Sequence, residues 1–109
     1  MKPEELATPC LLLDRDRLQR NCERMRATAR RAGVRLRPHL KTLKSIDAAR
    51  LAMDDSASIT VSTLHEAAHF AALGIADITC AVCLPPDKAP RALAIHRSIA
   101  GPGLGVLVD

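Results

Sequence analysis

Two lysines three residues apart, Lys41 and Lys44, close a run in which apolar residues alternate with basic ones: Val34-Arg35-Leu36-Arg37-Pro38-His39-Leu40-Lys41-Thr42-Leu43-Lys44. A partly desolvated lysine amine can have its pKa lowered and attack a carbonyl carbon to form an imine. The carboxyl end of a strand is where α/β folds collect ligands, so a lysine there can face a binding mouth. His39 lies two residues before Lys41, and on a strand the two side chains fall on one face. Composition alone favours a plainer reading, in which Lys41 and Lys44 are solvent-exposed loop residues.

Three other constellations carry potential chemistry. His65-Glu66-Ala67-Ala68-His69 fits H-E-x-x-H, where two histidines one helical turn apart hold zinc and the glutamate acts as base. A catalytic zinc needs a third protein ligand, and no glutamate follows Glu66; His96 and Asp77 are the remaining donors, with no spacing in their favour. The motif therefore reads as a capped helix with two surface histidines. Cys80-Ala81-Val82-Cys83 is a C-x-x-C, but a redox pair belongs at a helix N-terminus and this one falls in a strand pattern, so both cysteines read as buried small residues. Gly101-Pro102-Gly103-Leu104-Gly105 leads into a strand rather than a helix, and reads as a turn rather than a phosphate loop.

The elements that must position these groups alternate regularly. Cys10–Leu13 predicts a first strand. Leu18, Cys22, Met25 and Ala29 then recur at helical spacing, with Asp14 or Asp16 as cap and Gly33 as the left-handed terminator. Val34–His39 predicts a second strand, and Ser45 opens a helix ending near Asp54. Ile59–Val61 predicts a third strand, followed by a helix capped by Thr63, with Glu66 completing a capping box. Ile78–Leu84, a helix from Asp87, and Gly103–Val108 complete the series. Strands and helices in strict alternation imply parallel strands with right-handed crossovers. The expected fold class is thus α/β, about the first half of a (β/α)8 barrel, with residues 1–109 as the incomplete N-terminal part of a barrel domain. Such a piece is expected to expose strand edges and an apolar inner face.

Composition narrows the function classes. Apolar residues make up 48% of the chain and charged residues 26%, a balance suited to a packed fold. Phe70 is the only aromatic residue, which argues against base-stacking nucleic-acid modules. Nine arginines lie between Arg15 and Arg37 against Asp16 and Glu23, and they read as the solvated face of one helix. No apolar run approaches the ~20 residues of a membrane span. The expected location is cytoplasmic, with the four cysteines as free thiols.

Thr8-Pro9-Cys10-Leu11-Leu12-Leu13-Asp14 and, above all, Arg37-Pro38-His39-Leu40-Lys41-Thr42-Leu43-Lys44 resemble the D-threonine aldolase/D-serine dehydratase family. Ile59–Leu64 with Glu66-Ala67 and Ala72-Leu73-Gly74 resembles the third strand and helix of the same barrel. The resemblance implies an alanine-racemase-like barrel holding pyridoxal 5'-phosphate as a Schiff base on Lys41, with His39 near the cofactor. It implies a lyase acting on small D-amino or D-3-hydroxy-amino acids by retro-aldol cleavage. β-Elimination of the D-serine dehydratase type, or racemisation on the same fold, is the alternative. A divalent metal is implied for the full-length family, with ligands outside this chain, as are the phosphate-binding loops and a homo-oligomeric form; nucleic acid and membrane are not among the implied partners. The first strand would pack with a C-terminal β-domain, and the 109 residues alone are expected to show negligible catalysis. Three functions stay open in this order: a pyridoxal enzyme, a zinc hydrolase on His65 and His69, and a polyanion-binding piece using the arginine-rich helix.

Overall fold

A computed structural model describes residues 2–109. Four α-helices and three strands follow one another, alternating from α2 onward: α1 Arg15–Arg31, α2 Ile46–Ala52, β1 Ser58–Val61, α3 Leu64–Ala72, β2 Asp77–Cys83, α4 Ala89–Ser98 and β3 Gly103–Leu107. The strands form one parallel sheet in the order β1-β2-β3, the sequential arrangement of a barrel rather than of an open doubly wound sheet. Short 3-10 turns cover Pro3–Glu5 and Pro86–Lys88.

Local chemistry accounts for the helix ends. The Asp14 carboxylate accepts the Arg17 N–H at 2.9 Å, Ser45 Oγ accepts that of Ala48, and Thr63 Oγ1 accepts that of Glu66. α1 and α3 terminate alike. Gly33 (φ +66°) and Gly74 (φ +90°) take left-handed conformations. The N–H groups of Val34 and Ile75 then reach back to the carbonyls of Ala29 and Phe70, which closes a Schellman motif at each end. Arg26 of α1 caps the other helix of its pair, donating to the carbonyls of Leu51 and Met53 at the end of α2.

Alternate strand residues face the helices and form the core. Ile59 and Val61 of β1, Ile78 and Cys80 of β2 and Leu104 of β3 pack with Ala49, Ala67, Phe70, Ala92 and Ile95 from α2, α3 and α4. Phe70, Ile59, Ile78 and Val61 are fully buried. Gly103 allows β3 to start here: its φ is +87°, and an added Cβ would come within 2.5 Å of the His96 ring. That ring accepts the Leu104 N–H at 3.2 Å.

Two expected strands take a different form. Cys10–Leu13 forms no strand and pairs with none, and Leu11 is fully exposed. β-Propensity is insufficient without a partner for the backbone groups. Val34–His39 is reduced to one parallel bridge between His39 and Thr60. Leu40 N–H donates to the Thr60 carbonyl at 2.9 Å, and Thr60 N–H to that of Pro38 at 2.8 Å. Pro38 has no N–H of its own to lengthen the ladder. The expected apolar inner face is present only in part, with Leu107 of β3 45% exposed at its carboxyl end. The residues on the open side of the sheet include Thr60, Thr79, Ala81 and Gly105, which are small or polar. With one sheet face uncovered, the radius of gyration is 15.9 Å, against about 13 Å for a compact domain of ~100 residues.

The 36–40 segment is pinned at its lower end by charge. Arg37 forks onto Asp77, at 2.8 and 2.9 Å, reaching across β1 to the first residue of β2. The two side chains are only 30% and 20% exposed. Asp77→Ala is expected to cost about 2 kcal/mol in urea unfolding, the scale of a charge-assisted bidentate pair partly shielded from water. Arg37→Lys, which cannot form the fork, should lose a good part of the same. A cost for Asp77→Ala below about 0.5 kcal/mol would make the pair an ordinary surface contact.

Candidate functional site

The strand-like segment 38–40 inserts Leu40 into the core at 1% exposure while exposed His39 bridges to β1; Lys41 follows in a bend, where the Leu43 N–H donates back to the Leu40 carbonyl. Both His39 and Lys41 are exposed. Lys41 follows the last backbone bond to β1 and so lies at the carboxyl end of its strand. His39 bridges to Thr60, which pairs in turn with Thr79 and through it with Gly105, so a row of shrinking side chains crosses the open face.

His39 holds Lys41 through its backbone. The Lys41 N–H points at His39 Nδ1, 3.2 Å away. An N–H can only donate, so Nδ1 carries the lone pair and the neutral ring bears its proton on Nε2. Nε2 faces Ser62 Oγ at 3.4 Å. Ser62, just before the cap of α3, brings a second element to the site.

The two lysines of the motif are in different circumstances. Lys44 Nζ pairs with Glu66 Oε1 at 3.3 Å. No ion pair involves Lys41 among the described residues. Glu66 is buried on the first turn of α3, and its Oε2 accepts the Ser62 N–H at 2.8 Å. The anticipated capping box is therefore shifted by one residue: Thr63 Oγ1 accepts the Glu66 N–H, but the carboxylate returns to Ser62. Burial alone would raise the Glu66 carboxyl, but the Ser62 N–H and the Lys44 ammonium outweigh it and hold it below its ordinary range. Asp54 is lowered too, chiefly by the Ser56 hydroxyl and then by the Leu36 N–H, against the opposing effect of its burial.

The zinc reading loses its base. His65, Glu66, His69, Lys44 and Phe70 line a cavity of about 270 Å3, so the motif residues do converge. The Lys44 ammonium, however, occupies one Glu66 oxygen and opposes a divalent cation there. The His69 ring packs edge-on against Phe70, with centroids 5.2 Å apart. Asp77 is taken by Arg37 and His96 by the Leu104 backbone. No group of three His, Cys, Asp or Glu gathers among the described residues. The cysteines also separate: Cys80 is buried in the core as expected, whereas Cys83, beyond a bulge in β2, is exposed. No described helix is long and apolar enough to cross a membrane.

Sequence reasoning reached Lys41 through the family resemblance of the Arg37–Lys44 run and His39 through its two-residue spacing from it. It missed Ser62 and the pairing of Lys44 with Glu66, for which the only local signal was the Thr63–Glu66 spacing.

Residues 13–100 match the family described as alanine racemase, N-terminal domain. Over 105 residues the chain is 47% identical to D-threo-3-hydroxyaspartate dehydratase of Delftia sp., covering 95% of this chain and 27% of that protein. It is 35% identical over 100 residues to D-serine dehydratase of Dictyostelium discoideum, covering 86% and 25%. Against 3-hydroxy-D-aspartate aldolase of Paracoccus denitrificans it is 39% identical over 80 residues, covering 72% and 21%. Among solved structures, the Delftia dehydratase superposes with a TM-score of 0.84 at 45% identity, covering 96% of this chain and 27% of that one. An alanine-racemase-like protein from Idiomarina loihiensis superposes at 0.83 with 36% identity, covering 96% and 28%. The chain thus spans about a quarter of the length of the relatives it matches.

Two lowered carboxylates fix the sign of the acid response. Each contributes stability that is fully present above its ordinary value, 4.5 for Glu66 and 3.8 for Asp54, and is lost as pH falls through the lower folded value. The urea midpoint should therefore be level with respect to these groups above about pH 5 and fall below it. Glu66→Gln and Asp54→Asn should each flatten that fall; an unchanged slope in both variants would contradict the assignment. Zinc titration should give no stoichiometric site, and His69→Ala should leave the zinc content unchanged.

Proposed function

Because the chain belongs to the alanine racemase N-terminal domain family, we propose that it is the lysine-bearing part of a pyridoxal-phosphate lyase acting on small D-amino or D-3-hydroxy-amino acids. The observation that carries this reading is the placement of Lys41. It stands just past the carboxyl end of the first paired segment, exposed, and free of any carboxylate among the described residues. The three relatives named above act on D-amino acids bearing a β-hydroxyl, which supports the same substrate class.

The residues present suit the cofactor. Lys41 would hold it through Nζ. His39 would lie beside it while keeping the Lys41 backbone in place. Thr60, Thr79, Ala81 and Gly105 leave the adjoining face low. A Cβ added at Gly105 would meet only Thr79 Oγ1 at 3.7 Å and the Ile78 carbonyl at 3.8 Å, so a planar group can approach. When bound, pyridoxal phosphate supplies an electron sink for a carbanion at the substrate α-carbon. Loss of the α-proton would form that carbanion and expel the β-hydroxyl, the dehydratase outcome; cleavage of the Cα–Cβ bond, with the β-hydroxyl giving up its proton, would itself leave the carbanion and release an aldehyde, the aldolase outcome. We assign the choice between them, and the divalent metal of the full-length family, to residues outside 1–109. A variant of the Delftia enzyme is described as metal-free, which supports a metal in that relative.

Pyridoxal phosphate addition, borohydride reduction and peptide mass mapping test this directly. The expected result is one dominant label on Lys41, lost in Lys41→Ala. Label scattered over Lys2, Lys41, Lys44 and Lys88 would overturn it. The 109 residues alone should not turn over D-amino acids at ordinary enzyme rates.

A further inference from the structure

We propose that Glu66 is a positioning residue for Lys41, holding the Lys41 loop directly at Lys44 and, through Ser62, at His39. This rests on the reading of Lys41 given above and extends it to a residue of another element. The loop leaves the sheet at Leu40 and rejoins regular structure at Ser45, the cap of α2. Within it only one internal backbone bond forms, from Leu43 N–H to the Leu40 carbonyl at 3.2 Å. Its shape is therefore set from outside, by α3.

The links form a continuous chain. Glu66 Oε1 holds Lys44 Nζ at 3.3 Å, and Oε2 holds the Ser62 N–H at 2.8 Å. Ser62 Oγ meets His39 Nε2 at 3.4 Å, and His39 Nδ1 accepts the Lys41 N–H at 3.2 Å. One buried carboxylate thus touches the Lys44 flank of the reactive lysine directly and reaches the His39 flank through Ser62. Helix capping does not require this burial, since Thr63 already satisfies the Glu66 N–H. A buried carboxylate is costly unless paired, and this one is paired only with groups that lead to Lys41.

The arrangement also sorts the two lysines. An amine engaged with a carboxylate is withheld from a carbonyl carbon, so Lys44 is occupied while Lys41 stays available. Glu66 therefore decides which amine of the motif reacts.

The test follows labelling residue by residue. In each event Nζ bonds to the aldehyde carbon, water leaves, and hydride from borohydride reduces the C=N bond to a secondary amine. The rate at Lys41 is read relative to exposed Lys88 in the wild-type chain, Glu66→Gln, Lys44→Met and Lys44→Arg. Glu66→Gln keeps an acceptor for the Ser62 N–H but loses the charge for Lys44. It should lower the relative Lys41 rate about threefold, the scale of a partly exposed ion pair, and raise labelling at Lys44. Lys44→Met should lower the Lys41 rate similarly, and Lys44→Arg should restore it. The 15N shifts of the His39 ring supply a readout that fold stability alone does not move. They should show an unprotonated Nδ1 in the wild-type chain and a tautomer mixture in Glu66→Gln. If circular dichroism shows Glu66→Gln unfolded, the exposed Lys44 pair of variants decides. Selective wild-type labelling of Lys41 that no variant alters, with unchanged His39 shifts, overturns the role of Glu66 and leaves Lys41 standing. Scattered wild-type labelling overturns the Lys41 reading and this inference with it.

Discussion

The fork from Arg37 to Asp77 is the constraint on which the placement of Lys41 depends. The segment before Lys41 is tied to β1 by only two ladder bonds, too few to fix a register by themselves. Slipping it by one residue would send Leu40 to the open face and turn Lys41 toward the core. Arg37 prevents this because its fork spans a whole strand to reach one carboxylate at a defined height. A lysine there would offer a point charge with no such geometric demand.

The sheet then divides its labour between its ends. At the amino ends of the strands, Arg37, Asp77, Asp54 and the serines near it form a polar layer that holds the segments together. At the carboxyl ends lie Lys41, His39, Ser62 and the first turn of α3. This matches the general separation in barrel folds, where one rim carries stability and the other carries chemistry. Arg37 and Lys41, four residues apart, therefore serve opposite rims.

Local signals were legible in the sequence and distant ones were not. Asp14, Ser45, Thr63, Gly33 and Gly74 bound their helices as their types require, because a cap involves only residues a few positions away. The Arg37–Lys44 run singled out Lys41 by resemblance rather than by any local physical signal. Cys10–Leu13 misled because an apolar run carries no information about whether a partner strand exists. Glu66 misled in a subtler way. Its spacing from Thr63 suggested capping, and its place between two histidines suggested zinc, while the partner that settles its role is Lys44, on a different element. The Arg37–Asp77 pair joins residues 40 positions apart and leaves no mark in either neighbourhood.

The bond between His39 and Ser62 joins points 23 residues apart, on either side of α2 and β1. Closure of such a separation must wait until the intervening helix has formed and β1 has docked, because the loop entropy has to be overcome first. The surroundings of Lys41 thus assemble no earlier than the docking of β1. Until then the lysine is one flexible amine among several, and its chemical individuality arises with the tertiary structure.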